Sequence, residues 1–252
     1  MLGRGKAWLV MLLASPLIAG ATEPVVHMEW FASSDPSTPI QFNPADMGDS
    51  TPGADGSTIY VGSMLNEQWQ VAWTTRVRSD ESSSYLDAGL SIINLSSQAQ
   101  SFFFDTRLNM AGSSGSDSVV QLDASLALTN MDFSGNANMD SFDGQSIVQA
   151  LLGNSQVASV FDAPYELETV GPFSSIVDDD SSETMPGVFP ADTISALTSF
   201  TLSPGDLLNI TYVVDVTTIP APGAIALLGL AALSGRRRRR RTQRPTALEV
   251  RS

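Results

Sequence analysis

Between residues 22 and 219 apolar and polar positions alternate in short runs separated by Ser, Gly, Asp, Asn and Pro, the pattern of half-buried strands. The clearest run is Gln68–Arg78, where Trp69, Val71, Trp73, Thr75 and Val77 point one way and Gln70, Ala72, Thr74, Arg76 and Arg78 the other. The same period predicts strands over Val25–Ala32, Thr58–Gly62, Tyr85–Leu95, Ala99–Met110, Val119–Leu128, Glu166–Val177, Ala196–Leu202 and Leu207–Val216. Ser203-Pro-Gly-Asp206 predicts a type II turn, with proline second and glycine third. Phe142–Ser159 is ambiguous: Ile147, Leu151 and Leu152 sit at helical spacing, so one short helix is an option there. Short strands without interleaved helices predict an all-β fold, an antiparallel β-sandwich of jelly-roll-like type.

The two ends break this alternation. Arg4 and Lys6 precede an apolar stretch, Ala7–Ile18, and Ala19-Gly-Ala21 supplies the small residues a signal peptidase needs, so cleavage is expected after Ala21. At the other end Ile219 leads into Pro220, Ala221, Pro222 and Gly223, then the apolar run Ala224–Leu233. As a helix, Ala221–Gly235 extends about 22 Å, workable for a short span because arginines snorkel and bilayers thin. Behind it stand Arg236, Arg237, Arg238, Arg239, Arg240 and Arg241, a basic block that keeps its end cytoplasmic. The expected organisation is a signal peptide (1–21), an extracytoplasmic sandwich (22–217), a proline motif with a transmembrane helix (218–235) and an Arg-rich cytoplasmic tail (236–252).

The order of proline motif, apolar helix and arginine cluster resembles the PEP-CTERM sorting signal of bacterial exported proteins. Alanine stands at 221, where the usual Pro-Glu-Pro motif has glutamate. The resemblance implies export through the Sec machinery and signal peptidase, membrane anchoring through the C-terminal helix, and processing by an exosortase-type enzyme. The protein would then reside at the cell surface or in the extracellular matrix, with extracellular polysaccharide as a partner. Ile92-Ile-Asn-Leu-Ser-Ser97, Gln100-Ser-Phe-Phe-Phe104 and the closing Leu202–Tyr212 also look like the β-sandwich bodies that often carry such tails.

Charge narrows the partners. Of 27 acidic residues only Glu249 lies beyond residue 219, and the body holds three basic residues, Arg76, Arg78 and Arg107. Three cations against 26 carboxylates give residues 22–219 a formal charge of −23. Such a surface repels nucleic-acid phosphates and anionic membranes and attracts cations weakly. The chain has no cysteine, so neither disulfides nor thiolate chemistry is available.

Candidate chemistry is sparse. His27 is the single histidine, too few for a histidine zinc site, and no Gly-x-Ser-x-Gly elbow occurs. Glu166 and Glu168 share one strand face and could serve a polysaccharide-active enzyme. Asp178-Asp-Asp180 and Asp140-Ser-Phe-Asp143-Gly144 are the best calcium candidates, although neither has EF-hand spacing. Trp69, Trp73 and Tyr85 could form an aromatic platform for sugar rings, against which alternation marks Trp69 and Trp73 as core. Asp105 and Arg107 lie two apart on one face and can pair. The leading reading is therefore a non-enzymatic exported envelope protein with neither catalytic residues, cofactor nor metal. The alternatives are a carbohydrate-binding or adhesive module, with or without calcium, and a polysaccharide-active enzyme.

Overall fold

A computed structural model describes residues 26–33, 40–80, 82–111, 117–133, 135–184, 186–188 and 192–219. The expected signal peptide, the motif Pro220–Gly223, the apolar run and the arginine block lie outside these residues. No helix among the described residues is long and apolar enough to cross a membrane.

In chain order the strands are β1 (Val26–Ala32), β2 (Ile40–Phe42), β3 (Asp49–Pro52), β4 (Thr58–Leu65), β5 (Trp69–Ser79), β6 (Ser83–Asn94), β7 (Gln100–Asn109) and β8 (Asp117–Thr129). There follow β9 (Asn136–Ser141), β10 (Val148–Leu152), β11 (Ser155–Val160), β12 (Glu166–Val170), β13 (Ser175–Glu183), β14 (Gly187–Val188), β15 (Thr193–Leu202) and β16 (Leu207–Thr218). A single helical turn, α1 (Pro44–Met47), follows β2. All pairings are antiparallel and form two sheets. The first runs β11-β10-β15-β7-β1-β2, with β9 also on β15 and β12 on β9; the second runs β13-β8-β16-β6-β5-β4-β3, with β14 on β8.

The period-two pattern decides which residues meet between the sheets. In β5, Trp69, Val71, Trp73, Thr75 and Val77 are all buried, and in β6 every second residue from Ser84 to Asn94 is buried. The core is aromatic at its centre. Trp30 makes an edge contact with Trp69 at 4.1 Å and stacks on Phe104 at 5.7 Å, and Phe102 stacks on Phe200 at 5.6 Å. Trp73 lies across Gly62 of the neighbouring strand, where a Cβ would come within 2.3 Å of the indole. Glycine at 62 is thus a packing requirement.

Two expectations give way to longer-range pairing. Phe142–Ser159 contains no helix: Val148–Leu152 and Ser155–Val160 form a hairpin, turned at Gly153 with φ +59°. Pairing of β10 with both β11 and β15 satisfies its backbone on both sides, which outweighs a local helical spacing. The run Glu166–Val177 is not one strand but breaks at Gly171 (φ +95°) and Phe173 (φ +51°), so that β12 enters the first sheet and β13 the second. The turn at Ser203–Asp206 forms as expected, with Gly205 at φ +76°.

Candidate functional site

The sandwich has two unlike ends. Val26 pairs with Leu108 at the close of β7, while Thr218 pairs with Ser118 at the opening of β8. The Ile219 N–H donates to the Asp117 carbonyl at 2.6 Å. The described chain therefore enters and leaves at the same end. The opposite end carries the loops 95–99, 130–135, 171–174 and 203–206, because Asn94, Gln100, Thr129, Val170, Ser175, Leu202 and Leu207 terminate their strands there. Twelve residues of β16 separate the two ends, about 40 Å at ~3.3 Å per residue.

At this far end opens a cavity of about 280 Å³ lined by Ser33, Gln68, Ser96, Ser97, Gln98, Ala99 and Gln100. Its lining holds amides and hydroxyls and no charged side chain, in a body of formal charge −23. Asn94, outside the lining, holds the loop that forms one wall. Its buried side chain donates to the carbonyls of Gln98 (2.8 Å) and Leu202 (2.9 Å), and its Oδ1 accepts the Ser96 hydroxyl at 2.8 Å. Ser96 also receives the Gln98 N–H, which closes the 95–99 loop on itself. Across the cavity the Gln68 carbonyl accepts from Leu95 N–H at 2.8 Å and from Gln100 Nε2 at 3.3 Å. Among the described residues the side-chain amides of Gln68 and Gln98 make no hydrogen bond, which leaves two donor-acceptor heads at the rim. Such a set suits a partner that both gives and takes hydrogen bonds and carries no net charge.

The adjoining turn is anchored from below. Gly205 N–H donates to the Asn94 carbonyl at 2.7 Å, and the Asp206 carbonyl accepts from Asn94 N–H at 3.1 Å. Burial pushes the Asp206 carboxyl above its ordinary value, opposed by hydrogen bonds from the Ser203 hydroxyl and the Met131 backbone.

The residues singled out by sequence mostly belong to other surroundings. Trp69 and Trp73 are core residues, 7% and 2% exposed, whereas Tyr85 faces outward, bonding to Asp87 with Arg76 6.0 Å above its ring. The sugar platform therefore does not exist. The Asp178–Asp180 run is divided by alternation. Asp178 accepts the Tyr165 hydroxyl at 2.6 Å, Asp180 accepts the Phe161 N–H at 2.8 Å, and Asp179 points away to a trough on the outer sheet face with Asp123. Asp140 pairs with Asn138, and Asp143 occupies a turn at φ +53°. No three His, Asp or Glu residues among those described are placed to hold a metal ion.

Glu166 and Glu168 are both exposed on edge strand β12, Glu168 accepting from Asn136 Nδ2 at 2.8 Å, and neither lines the cavity. His27, Glu29 and Phe31 of β1 stand in register opposite Arg107, Asp105 and Phe103 of β7. Arg107 pairs with Asp105 as expected, its Nε 2.7 Å from Oδ2. Asp105 is 4% exposed, and burial leaves its Oδ1 without a partner.

Sequence reasoning passed over Ser33, Gln68, Gln98 and Gln100. The Asn94–Gln98 segment read only as a connecting loop, and Ser and Gln carry no spacing that marks them as lining. The one available signal was the absence of carboxylates from residues 88–104 in so acidic a chain.

No family model and no curated protein matches the chain. Among solved structures, TmCBM61 in complex with beta-1,4-galactotriose is similar at 10% identity over 57% of this chain and 86% of that one, with a TM-score of 0.23. The structure of infectious bursal disease virus Gx strain is similar at 10% identity over 82% of this chain and 62% of that one, also at 0.23. Likenesses at this level carry no argument about this chain.

Proposed function

We propose that this is an exported, non-enzymatic protein of the cell envelope or extracellular matrix whose sandwich holds neutral polysaccharide at the end remote from its tether. In this reading the Sec machinery and signal peptidase remove residues 1–21. The helix within 218–235 anchors the chain, and an exosortase-type enzyme acts at Pro220-Ala221-Pro222. The observation that carries the reading is the polarity of the sandwich. Val26 and Ile219 leave one end, and the uncharged cavity opens about 40 Å away at the other. A domain held by its C-terminus presents that far end outward.

Charge selects the class of glycan. Twenty-six carboxylates repel uronic acids and sulfated sugars, whereas amide and hydroxyl side chains exchange hydrogen bonds with neutral sugar hydroxyls. Native electrophoresis of the purified protein through gels containing a panel of neutral glycans, or a polyuronate, tests this. Retardation by a neutral glycan only, relieved by Gln68→Ala with Gln98→Ala, is the predicted result. Free migration in every neutral gel, or retardation by the polyuronate, contradicts the glycan half of the reading.

A further inference from the structure

Two loops at the far end hold aromatic side chains out in solvent. Phe133 is 84% exposed and Phe173 57% exposed, and their rings meet edge to face at 4.6 Å and 87°. An edge-to-face pair leaves aromatic faces open that a stacked pair would cover. Apolar side chains this exposed usually sit singly, and a cluster marks a contact surface.

The pair is held in place from below. Asn130, 1% exposed, donates Nδ2 to the carbonyls of Gly135 (3.1 Å) and Gly171 (2.9 Å), and its N–H donates to the Ser174 carbonyl at 2.9 Å. One buried residue therefore joins the 130–135 loop to the 171–174 loop. Phe173 is held at φ +51°, a left-handed conformation unfavourable for a bulky residue. Rings on loops fixed beforehand lose less freedom when a partner stacks on them.

The surroundings select the partner, because the rings stand inside a polar rim. The Thr129 and Ser175 hydroxyls share a hydrogen bond at 3.0 Å at the base of the two loops. Asn136, in register with Val170, donates to the exposed Glu168 carboxylate at 2.8 Å, and Asp132 immediately precedes Phe133. Seating this tip in lipid would draw the Asp132 and Glu168 carboxylates out of water, which opposes insertion. A sugar ring has apolar C–H faces and hydroxyl edges. It matches open aromatic faces within a rim of hydroxyl, amide and carboxylate groups.

The rings also adjoin the uncharged cavity. Ile93, Leu207 and Thr129 lie in register on the adjacent strands β6, β16 and β8, so the loops that follow β6 and β8 start two strand spacings apart, about 10 Å. The 203–206 turn lies between them: Gly205 N–H donates to the Asn94 carbonyl at 2.7 Å, and a Cβ on Gly205 would stand 3.8 Å from Asp132 Oδ2. We infer that Phe133 and Phe173 form a stacking step for the neutral glycan assigned to the cavity, reached by the same chain across the 203–206 turn. This rests on the glycan reading and extends it: the ligand is a stretch of polymer long enough to span both places, not a single terminal sugar.

The test is native electrophoresis of the protein purified from its host through gels holding a soluble glucan, galactan, mannan or xylan at graded concentrations. Phe133→Tyr keeps the aromatic face, and Phe133→Leu keeps apolar bulk without it. The pair Phe133→Ser with Phe173→Asn removes both rings, asparagine tolerating the left-handed backbone at 173. The inference predicts that Phe133→Tyr binds the retarding polymer like wild type and that Phe133→Leu binds more weakly. The pair should bind about tenfold or more weakly, with an unchanged circular-dichroism spectrum. Phe133→Leu or the pair migrating like wild type overturns it. If Gln68→Ala with Gln98→Ala still relieves retardation in that case, the cavity reading stands alone. Retardation lost in the phenylalanine pair but kept in the glutamine pair upholds the rings and removes the cavity. Free migration of wild type in every gel overturns both. Co-sedimentation of wild type with phosphatidylcholine vesicles that the pair loses, alongside such free migration, makes lipid the occupant instead.

Discussion

Tyr212 donates its phenol hydrogen to Oγ1 of Thr106 across the sandwich at 3.0 Å, with both residues buried. The bond joins β16 of one sheet to β7 of the other, and burial raises the Tyr212 phenol far above its ordinary value. Tyr212→Phe leaves the Thr106 hydroxyl without this partner and should cost about 1–2 kcal/mol of stability, seen as a lower denaturant midpoint. Adding Thr106→Val should recover part of that loss, because removing both partners spares the desolvation penalty.

Gly62 beneath Trp73 makes a second prediction. Gly62→Ala drives a methyl to within 2.3 Å of the indole, so Trp73 must move within a close-packed core. Overpacking of this kind costs about 1–3 kcal/mol, and a thermal melt reads it directly. Alanine at Gly89, whose nearest neighbour would be Thr211 Cγ2 at 3.8 Å, should cost much less.

Asn130 offers a third. Asn130→Ala removes both partly buried bridges to Gly135 and Gly171, each worth about 0.5–1.5 kcal/mol, and should cost about 1–3 kcal/mol in all. Amide exchange in 131–135 and 171–174 should speed up while β5 and β6 stay protected.

Acid stability separates two aspartates. Hydrogen bonds from Ser146 and then Ser159 hold the Asp162 carboxyl below its ordinary value, so its stabilisation is present above about pH 4 and lost as pH falls through the lowered value. Asp162→Ala should thus be less stable than wild type at neutral pH, with the gap closing in strong acid. Asp206 has the opposite sign. Its raised carboxyl favours the protonated folded form, so the contribution is present below about pH 4 and fades as pH rises through the raised value. The difference between Asp206→Asn and wild type should shift toward the variant over that rise, and equilibrium unfolding across pH 3–7 reads both.

Much of the sandwich was legible because alternation records burial. Gln68–Arg78 anticipated β5, Ala99–Met110 anticipated β7 and Leu207–Val216 anticipated β16, each to within two residues. Phe142–Ser159 was not legible, since β10 takes its form from pairing with β15, more than 40 residues away in sequence. The split at Gly171 was hidden for a related reason: β12 and β13 both look extended, and only tertiary pairing sends them to different sheets. Trp69 and Trp73 were readable as core from their shared face. The cavity at Gln68, Gln98 and Ser33 was not, because three separate segments converge there through backbone bonds that leave no residue signature.

The central claim is an exported domain tethered through its tail with its far end free. The most direct measurement is the intact mass of the protein recovered separately from envelope and extracellular fractions of its host. The account predicts that every form lacks residues 1–21, that the envelope form retains Arg236–Arg241, and that the extracellular form ends near Pro220. A full-length mass retaining residues 1–21 and confined to the cytoplasm would contradict it.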